Sequence, residues 1–283
     1  MLKNYLEFGT IQNKKKRIYE LKKGFLYDWY MLPRYFNDLY ILDKFSKTKD
    51  LKKLSTKLHH KEDLKFNFVI FLLLKNSKKK IFYEYGQTLF EKIFFLKLFL
   101  NFFNLKPLGD IKWRGNDISK LFNFFCKNFY KDLNVKVFNN FSVENLKNSI
   151  FFAKGVTLLY LKNNIKTLNS IFKNSKSGCF DISLVKSKKN LHLNTGKTLY
   201  FPTINEFIKL IKKSDKHFIF RNIKKSEKNK IYLEVIYGDK NTTSKFLKET
   251  DFYNKKFKNK KNIIKLFGLN LKNHTDKINL LKV

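Results

Sequence analysis

The chain has 283 residues, of which 43% are hydrophobic, enough at this length to build a folded core and to exclude disorder throughout. Its 60 Lys and Arg outnumber 23 Asp and Glu, which gives a formal net charge of +37. Because excess charge of this size destabilises a compact fold through self-repulsion, we expect a polyanionic partner, with nucleic acid as the first candidate.

Residues 1–60 show no sustained hydrophobic periodicity, and we interpret them as an N-terminal extension. The adjacent His59 and His60 would point in different directions on a helix, so we interpret them as loop residues rather than metal ligands. The apolar runs that follow are shorter or more interrupted than the roughly 20 residues that a membrane span requires. We therefore expect no stable membrane insertion.

Three helices are predicted in the next part of the chain. Leu64–Leu74 is apolar almost all round, which is typical of a helix enclosed on every side. Apolar residues then recur every four positions from Ile81 to Ile93, and this spacing predicts a second helix. The third helix, Phe94–Asn104, ends before Pro107, which cannot donate a backbone hydrogen bond.

Strand signals dominate the middle of the chain. Asp110–Arg114 alternates between polar and apolar residues like a strand, whereas the mixed residues 118–193 indicate no function. Leu199–Pro202 is typical of an edge strand, where proline is tolerated. Thr203 and Glu206 then predict a capping box at the start of an amphipathic helix.

Two more helices are predicted near the C-terminus. The first begins near Ser226 and ends at Gly238, since glycine commonly terminates helices. The last begins near Ser244 and carries lysines on one side and an apolar stripe on the other. The stripe consists of Phe246, Thr250, Tyr253 and Phe257.

Three groups of residues could carry chemistry, and each has a plainer explanation. Asn194–Thr198 resembles the end of a phosphate-binding loop but lacks the second glycine at the required spacing. Glu84 and Glu91 have no partner base or nucleophile, so we interpret them as salt-bridging residues on a helix surface. Cys126 and Cys179 lie far from other metal-ligating residues, and we interpret them as buried structural thiols.

The composition indicates the kind of gene. The chain contains 32 Phe and 14 Tyr but a single alanine, Ala153. The enriched residue types have A/T-rich codons and the depleted types have G/C-rich codons, so we expect an A/T-rich gene, which is common in organellar genomes and found in some nuclear ones. We predict a mitochondrial location, preferred over a plastid because mitochondria are more widespread.

Several stretches of the chain share their order and spacing with one known family. They are Leu64–Lys80, Ile81–Ile93, Asn104–Gly115, Gly196–Ile204, Leu233–Ile236 and Lys248–Phe257. On these stretches, the chain resembles the bacterial-type ribosomal protein seven family of the small subunit. The resemblance implies a mainly α fold, a helical bundle core with a β-hairpin arm, and a large insertion at the arm tip.

The resemblance also implies a function. It implies a structural component of the mitochondrial ribosome that binds the head domain of small-subunit rRNA, supports head assembly, and touches neighbouring small-subunit ribosomal proteins. Messenger RNA and exit-site transfer RNA would lie nearby. It implies no enzymatic activity, no cofactor and no metal. The RNA contacts carried over by position are Lys78, Lys79, Lys80, Lys112, Arg114, Lys245, Lys248, Lys255 and Lys256. For Trp113 two roles stay open, stacking on an exposed base and packing within the arm.

The same resemblance divides the chain into segments. They are an extension (1–60), the first part of the core with the first arm strand (61–117), an insertion (118–193), the second arm strand with the C-terminal helices (194–262) and a tail (263–283). Two other functions stay open. One is a lysine-rich accessory subunit of an organellar membrane complex, drawn to anionic lipid. The other is an organellar nucleic-acid-processing protein.

Overall fold

The chain folds into alternating helices and strands. The computed structural model describes residues 25–47, 50–58, 63–78, 80–117, 119–130, 133–154, 157–193, 198–226 and 230–276. The helices are α1 (Phe25–Lys44), α2 (Leu51–Lys57), α3 (Asp63–Lys75), α4 (Lys92–Phe103), α5 (Lys120–Phe129), α6 (Asn164–Asn174), α7 (Ile204–Lys213), α8 (Lys240–Lys256) and α9 (Lys261–Phe267). Short 3₁₀ turns span Val143–Leu146, Thr157–Tyr160 and Leu271–Asn273.

The strands build one large mixed sheet and one small hairpin. They are β1 (Ile81–Tyr85), β2 (Lys112–Asn116), β3 (Val135–Val137), β4 (Ile150–Ala153), β5 (Ser177–Val185), β6 (Lys189–His192), β7 (Thr198–Phe201), β8 (His217–Ser226), β9 (Lys230–Gly238) and β10 (His274–Thr275). The described strands of the large sheet run in the order β3-β2-β1-β4-β5-β9-β8-β10. Strands β1 to β5 are parallel, and β9 lies antiparallel between β5 and β8. Strands β6 and β7 pair separately.

The central strands are buried on both faces, which explains their nearly continuous apolar sequences. All four residues of β4 are buried. Successive residues of β1 alternate between the two faces, so Phe82 belongs to one hydrophobic core and Tyr83 to the other. The fold is therefore a three-layer α/β structure with a core on each side of the sheet.

The helices cover the sheet on both faces. Buried residues of α4 and α5 join the core that contains Phe82, whereas those of α6 and α7 join the core that contains Tyr83. Right-handed crossovers require this arrangement, because the chain proceeds from β1 outward to β3 and then returns to β4 on the other side of β1. The chain order thus reverses between β1 and β4, which makes this a doubly wound sheet.

The prediction of a mainly α bundle with a β-hairpin arm is wrong, and residues 81–93 show the physical reason. The four-residue spacing from Ile81 onward was interpreted as a helix, yet the first five residues form β1. A strand that is buried on both faces has apolar residues at nearly every position, so it also satisfies a helical spacing. The resemblance to ribosomal protein seven is wrong as well, since it required a helix here.

The helix predicted from Ser226 to Gly238 is also wrong. Residues 230–238 form β9, which pairs on one side with β5 and on the other with β8. Leu233 and Val235 face one core and Ile236 the other, so both faces are again apolar.

Other predicted elements are confirmed. Leu64–Leu74 lies within α3, and Phe94–Asn104 corresponds closely to α4. The capping box of Thr203 and Glu206 starts α7. The stripe on the last predicted helix is buried along α8 and the residue that follows it, and both cysteines are buried and free. No described helix combines the length and apolarity that crossing a bilayer would require.

Candidate ligand cleft

A cleft opens at the carboxyl ends of the parallel strands. Its volume is about 660 Å³, which is in the range of small-molecule sites. It is lined by Tyr85 of β1, Asn116 and Asp117 at the end of β2, Asn123, Phe124 and Lys127 of α5, and Asn139, Asn140 and Phe141 after β3. In doubly wound sheets, ligands bind in the crevice outside the carboxyl ends of the strands, beside the point where strand order reverses. The cleft occupies this position.

The loop between β1 and α4 borders the cleft and has an unusual backbone. Gly86, Thr88 and Phe90 all have positive φ angles, of 75°, 48° and 50°. Glycine adopts such angles without strain, whereas threonine and phenylalanine rarely do. Every second residue of this loop therefore has the positive φ angle that is typical of a glycine-rich loop, although only Gly86 is a glycine.

Four N–H groups of this loop donate to acceptors within the protein. Those of Gly86 and Gln87 donate to the carbonyl oxygen of Asn116, at N···O distances of 2.8 and 3.4 Å. The N–H of Thr88 donates to Oδ2 of Asp117 at 3.2 Å. The N–H of Phe90 donates to the carbonyl oxygen of Gln87 at 2.9 Å. The loop thus uses its donors to join β1 to β2.

Asp117 is the centre of a buried hydrogen-bond network at the end of β2. Its Oδ1 accepts from the N–H of Ser119 at 2.8 Å, while its own N–H and carbonyl oxygen bond to the side-chain amide of Asn123. That amide oxygen also accepts from Nε2 of Gln87 at 2.7 Å. The network fixes the orientation of the Asp117 carboxylate at the cleft.

Beneath the loop lies a buried ionic cluster. Nζ of Lys92 lies 2.7 Å from Oε1 of Glu84 and 3.0 Å from Oε1 of Glu91, and it faces the ring of Phe152 at 5.2 Å. Burial raises the pKa of Glu84 to about 8, and the charge of Glu91 adds to this effect while Lys92 opposes it. Burial lowers the pKa of Lys92, but the two carboxylates more than offset this and place it above the ordinary value.

The acidic groups continue around the start of α4. The hydroxyl of Thr88 donates to Oε2 of Glu91 at 2.9 Å, immediately before the helix begins. The N–H groups of Ile93 and Phe94 in the first turn donate to carbonyl oxygens of Phe90 and Glu91. The Glu91 side chain makes no capping hydrogen bond to the helix, but its carboxylate lies beside the N-terminus, which would otherwise attract an anion.

The loop after β4 covers part of the crevice. A Cβ atom added to Gly86 would lie 2.4 Å from Cγ2 of Thr157, so the threonine methyl group sits directly against the glycine. The hydroxyl of Thr157 is held by a hydrogen bond to the carbonyl oxygen of Lys154 at 3.0 Å. The open part of the cleft therefore extends toward β2 and β3 rather than toward β4.

The residues predicted to bind RNA are dispersed. Lys78 and Lys80 precede β1, and Lys112 begins β2, so these lie at the amino ends of the strands, opposite the cleft. Those on α8 lie on its exposed side, where Nζ of Lys255 pairs with Asp251 at 2.7 Å. The α8 residues are Lys245, Lys248, Lys255 and Lys256. Lys79 lies outside the described residues.

The two remaining predicted contacts lie within the sheet. Trp113 is buried and packs edge-on against Phe82, with ring centroids 5.2 Å apart, so it is not placed to stack on a base. Nη1 of Arg114 donates to the carbonyl oxygen of Asn145 at 3.2 Å.

The interpretation of Glu84 and Glu91 is half confirmed. Both form salt bridges, to Lys92, but both are buried and Glu84 lies in β1, so their predicted place on a helix surface is wrong. Asp117 was missed, although its place after an alternating segment that ends in Gly115 and Asn116 is a usable signal. The resemblance of 194–197 to a phosphate-binding loop and the histidine pair at 59–60 lie outside the described residues.

Comparisons with known proteins give structural matches only. No protein-family model and no curated protein matches the chain. The N-terminal domain of EvdMO1, in the presence of SAH and D-fucose, matches with a TM-score of 0.47 and 9% identity over 64% of this chain and 84% of that chain. Magnesium protoporphyrin IX methyltransferase (ChlM) from Synechocystis PCC 6803, with bound SAH, matches with a TM-score of 0.39 and 11% identity over 62% and 83%. Structural similarity with TM-scores below 0.5 does not indicate the function of this chain.

The functional predictions that followed from the ribosomal resemblance are wrong. A ribosomal role, rRNA binding, and messenger or transfer RNA as partners all depended on the helical bundle, which the doubly wound sheet replaces. The prediction that the chain is not an enzyme fails with them, because the sheet places a cleft where enzymes of this architecture bind their ligands. Neither the membrane-complex subunit nor the nucleic-acid-processing protein matches the fold. The mitochondrial location and the division into segments stay predictions.

Proposed function

We propose that this chain is a methyltransferase that binds S-adenosylmethionine, with the adenosyl group of the cofactor in the cleft at the ends of β1, β2 and β3. The observation that carries the proposal is the combination of a carboxylate after β2 with a β1–α4 loop that has no place for a phosphate. Doubly wound sheets commonly bind nucleosides through such a carboxylate, which accepts hydrogen bonds from ribose hydroxyls.

The charge around the loop separates this cofactor from phosphate-bearing ones. A dinucleotide needs its pyrophosphate at the N-terminus of the helix after β1, against free N–H groups. Here the Glu91 carboxylate lies beside the start of that helix, and the loop N–H groups of Gly86, Gln87 and Thr88 donate within the protein. A sulfonium cofactor carries no phosphate, so it does not need free N–H groups at this position.

The lining of the cleft fits a nucleoside. The carboxylate of Asp117 accepts hydrogen bonds from two backbone N–H groups and lines the cleft, where ribose hydroxyls can donate to it. Phe124 and Phe141 offer aromatic faces for a base, and Asn140 offers both a donor and an acceptor. Burial and then the charge of Asp117 raise the pKa of Tyr85 to about 12, so its phenol stays neutral beside the ligand.

The amino-acid end of the cofactor has less room. The space above Gly86 is covered by the methyl group of Thr157, so the nucleoside half fits the cleft as it stands and the amino-acid half requires Thr157 to shift. When bound, this cofactor supplies an electrophilic methyl group for transfer to a nucleophile. The task of the residues named here is to bind and orient the nucleoside.

A ligand panel tests the proposal. We expect isothermal titration calorimetry to detect binding of S-adenosylhomocysteine and adenosine, and much weaker binding of NAD and ATP, because their phosphates meet Glu91 and satisfied N–H groups. NAD or ATP binding as tight as S-adenosylhomocysteine binding would contradict the proposal.

Replacing the central carboxylate tests the same site by mutation. Asp117→Asn removes a charged acceptor of ribose hydroxyls, so S-adenosylhomocysteine affinity should fall about tenfold or more. Asp110→Asn is the matched control, since Asp110 is exposed and precedes the other end of the same strand. Equal affinities for the two variants, with folding verified by circular dichroism, would remove Asp117 from the binding site.

A further inference from the structure

The β1–α4 loop, which borders the ligand cleft, has a backbone that two of its residues do not favour. Thr88 and Phe90 have φ angles of 48° and 50°, in the left-handed region. Such angles are rare for residues with a side chain, and rarest for β-branched or bulky residues like these two. Strain of this kind persists only where the surrounding structure holds it, and it concentrates at functional sites. The groups that hold this loop therefore help to set the shape of the cleft.

Two side chains near the end of α5 donate hydrogen bonds to carbonyl oxygens of the loop. Sγ of Cys126 donates to the carbonyl oxygen of Thr88 at 3.1 Å, and the hydroxyl of Tyr130 donates to that of Leu89. The two donors are four positions apart, so they lie on one side of the helix and of the residue that follows it. Burial raises the pKa of both groups above their ordinary values, so each keeps the proton that it donates.

The loop also packs closely against α5 and β2. The ring of Tyr130 lies edge-on to the ring of Phe90, with ring centroids 6.2 Å apart. Oδ1 of Asn123, also on α5, accepts from Nε2 of Gln87 at 2.7 Å. A Cβ atom added to Gly115 of β2 would lie 2.6 Å from Oε1 of Gln87 and 2.8 Å from the ring of Phe90, so the strand approaches the loop this closely only because it has glycine there.

Tyr130 contributes to this support in two ways. Its hydroxyl and its ring act on adjacent residues of the loop, Leu89 and Phe90. The side chain is buried behind the loop rather than in the lining of the cleft, so it acts on the cleft only through the loop. Backbone strain at two residues is of the same order as a few neutral hydrogen bonds, so the loss of one such bond changes how often the loop adopts this shape.

We infer that Tyr130 is a positioning residue for the cofactor, because it holds the β1–α4 loop in the shape that receives the amino-acid end of S-adenosylmethionine. The inference rests on the proposed function, which places that end above Gly86. A loop without this support also populates conformations that the cofactor does not fit. The apparent affinity then falls in proportion to the fraction of molecules in the competent conformation.

Removal of the hydroxyl tests the inference. In calorimetric titrations, Tyr130→Phe should bind S-adenosylhomocysteine about fivefold more weakly than the unmodified protein, the equivalent of one neutral hydrogen bond. Tyr237→Phe is the matched control, since Tyr237 is also buried and loses one hydrogen bond, to the hydroxyl of Ser175, but lies in the other hydrophobic core. The control should keep the affinity of the unmodified protein. Equal affinities for Tyr130→Phe and the unmodified protein would overturn the inference.

Glycine and alanine at position 88 separate an effect on the loop backbone from a general loss of stability. Both substitutions remove the threonine hydroxyl that donates to Glu91, but only glycine adopts a positive φ angle without strain. Thr88→Gly combined with Tyr130→Phe should therefore restore the affinity to within about twofold of the unmodified protein, whereas Thr88→Ala with Tyr130→Phe should stay weak. Equal recovery with alanine and glycine would show that the loop backbone is not what Tyr130 holds.

Amide hydrogen exchange without any cofactor distinguishes failure of this inference from failure of the proposed function. The N–H groups of Gly86 and Phe90 are bonded within the protein, so they exchange slowly while the loop keeps its shape. Their exchange should be faster by about fivefold in Tyr130→Phe and in its combination with Thr88→Ala, and slow again in the combination with Thr88→Gly. Exchange that follows this order in a protein that does not bind S-adenosylhomocysteine would overturn the proposed function and retain Tyr130 as the residue that holds the loop. Exchange that is equal in all variants would overturn the role of Tyr130.

Discussion

At the scale of single residues, the buried ionic cluster determines how the β1–α4 loop is supported. Lys92 is 5% exposed and is bound to two carboxylates that are themselves buried. Buried charges are tolerated only when they are paired, and removing one partner costs far more than the pair contributes. Lys92 is therefore the residue on which the local structure depends most.

Replacing Lys92 with methionine should destabilise the protein by about 3–5 kcal/mol, because Glu91 would be left buried without a cation and Glu84 would lose the group it contacts. Urea unfolding followed by circular dichroism measures the effect. Lys97→Met is the matched control, since Lys97 is exposed on the same helix, and it should change the free energy of unfolding by less than about 0.5 kcal/mol. A loss for Lys92→Met as small as that of the control would contradict the role given to the cluster.

At the scale of elements, the two loops that meet at the reversal of strand order control access to the cleft. The loop after β1 contributes Gly86, and the turn after β4 contributes Thr157, whose methyl group covers the glycine. Removing only that methyl group, by Thr157→Ser, should raise affinity for S-adenosylhomocysteine by about fivefold, the equivalent of one buried carbon. Calorimetry should show no change for adenosine, which lacks the amino-acid end.

Thr157→Val supplies the matched comparison, because it keeps the branched shape and loses the hydroxyl that bonds to Lys154. Its affinity for S-adenosylhomocysteine should stay at the level of the unmodified protein. If adenosine and S-adenosylhomocysteine respond alike to Thr157→Ser, the space above Gly86 does not receive the amino-acid end.

The elements also show what could be predicted from the sequence. Helices with one distinct signal were found: α3 from its apolar run, α4 from the proline that follows it, and α7 from its capping box. Strands β1 and β9 were mistaken for helices, because burial on both faces removes the alternation that identifies a strand. When β1 and β9 are not recognised as strands, the other predicted helices and strands do not indicate a doubly wound sheet.

The residues of the ligand cleft also could not be recognised from their spacing in the sequence. Tyr85 and Asp117 are far apart in sequence and line the same cleft only because parallel strands end at the same edge of the sheet. In the loop, Thr88 and Phe90 take positive φ angles that usually signal glycine, so a search for a glycine-rich motif fails. Tertiary packing imposes this backbone on residues that do not prefer it.

At the scale of the whole molecule, the net charge of +37 opposes folding. Added salt screens this repulsion, since the Debye length falls from about 10 Å at 0.1 M to about 3 Å at 1 M. We expect the melting temperature to rise with NaCl, by about 2–4 °C for each kcal/mol of repulsion removed. Differential scanning fluorimetry across a salt series measures this.

A charge variant checks the cause of the salt effect. Lys212→Glu with Lys213→Glu lowers the net charge from +37 to +33, two units for each substitution, at exposed positions of α7. The variant should respond to salt less steeply. A melting temperature that falls or stays constant as NaCl increases would show that self-repulsion does not limit stability.

A crystal structure of the protein with S-adenosylhomocysteine tests the proposed cofactor site most directly. We expect the adenosine part in the cleft, with the ribose hydroxyls at the Asp117 carboxylate and the base beside Phe141. An ordered ligand that lies elsewhere on the molecule and leaves this cleft empty would contradict it.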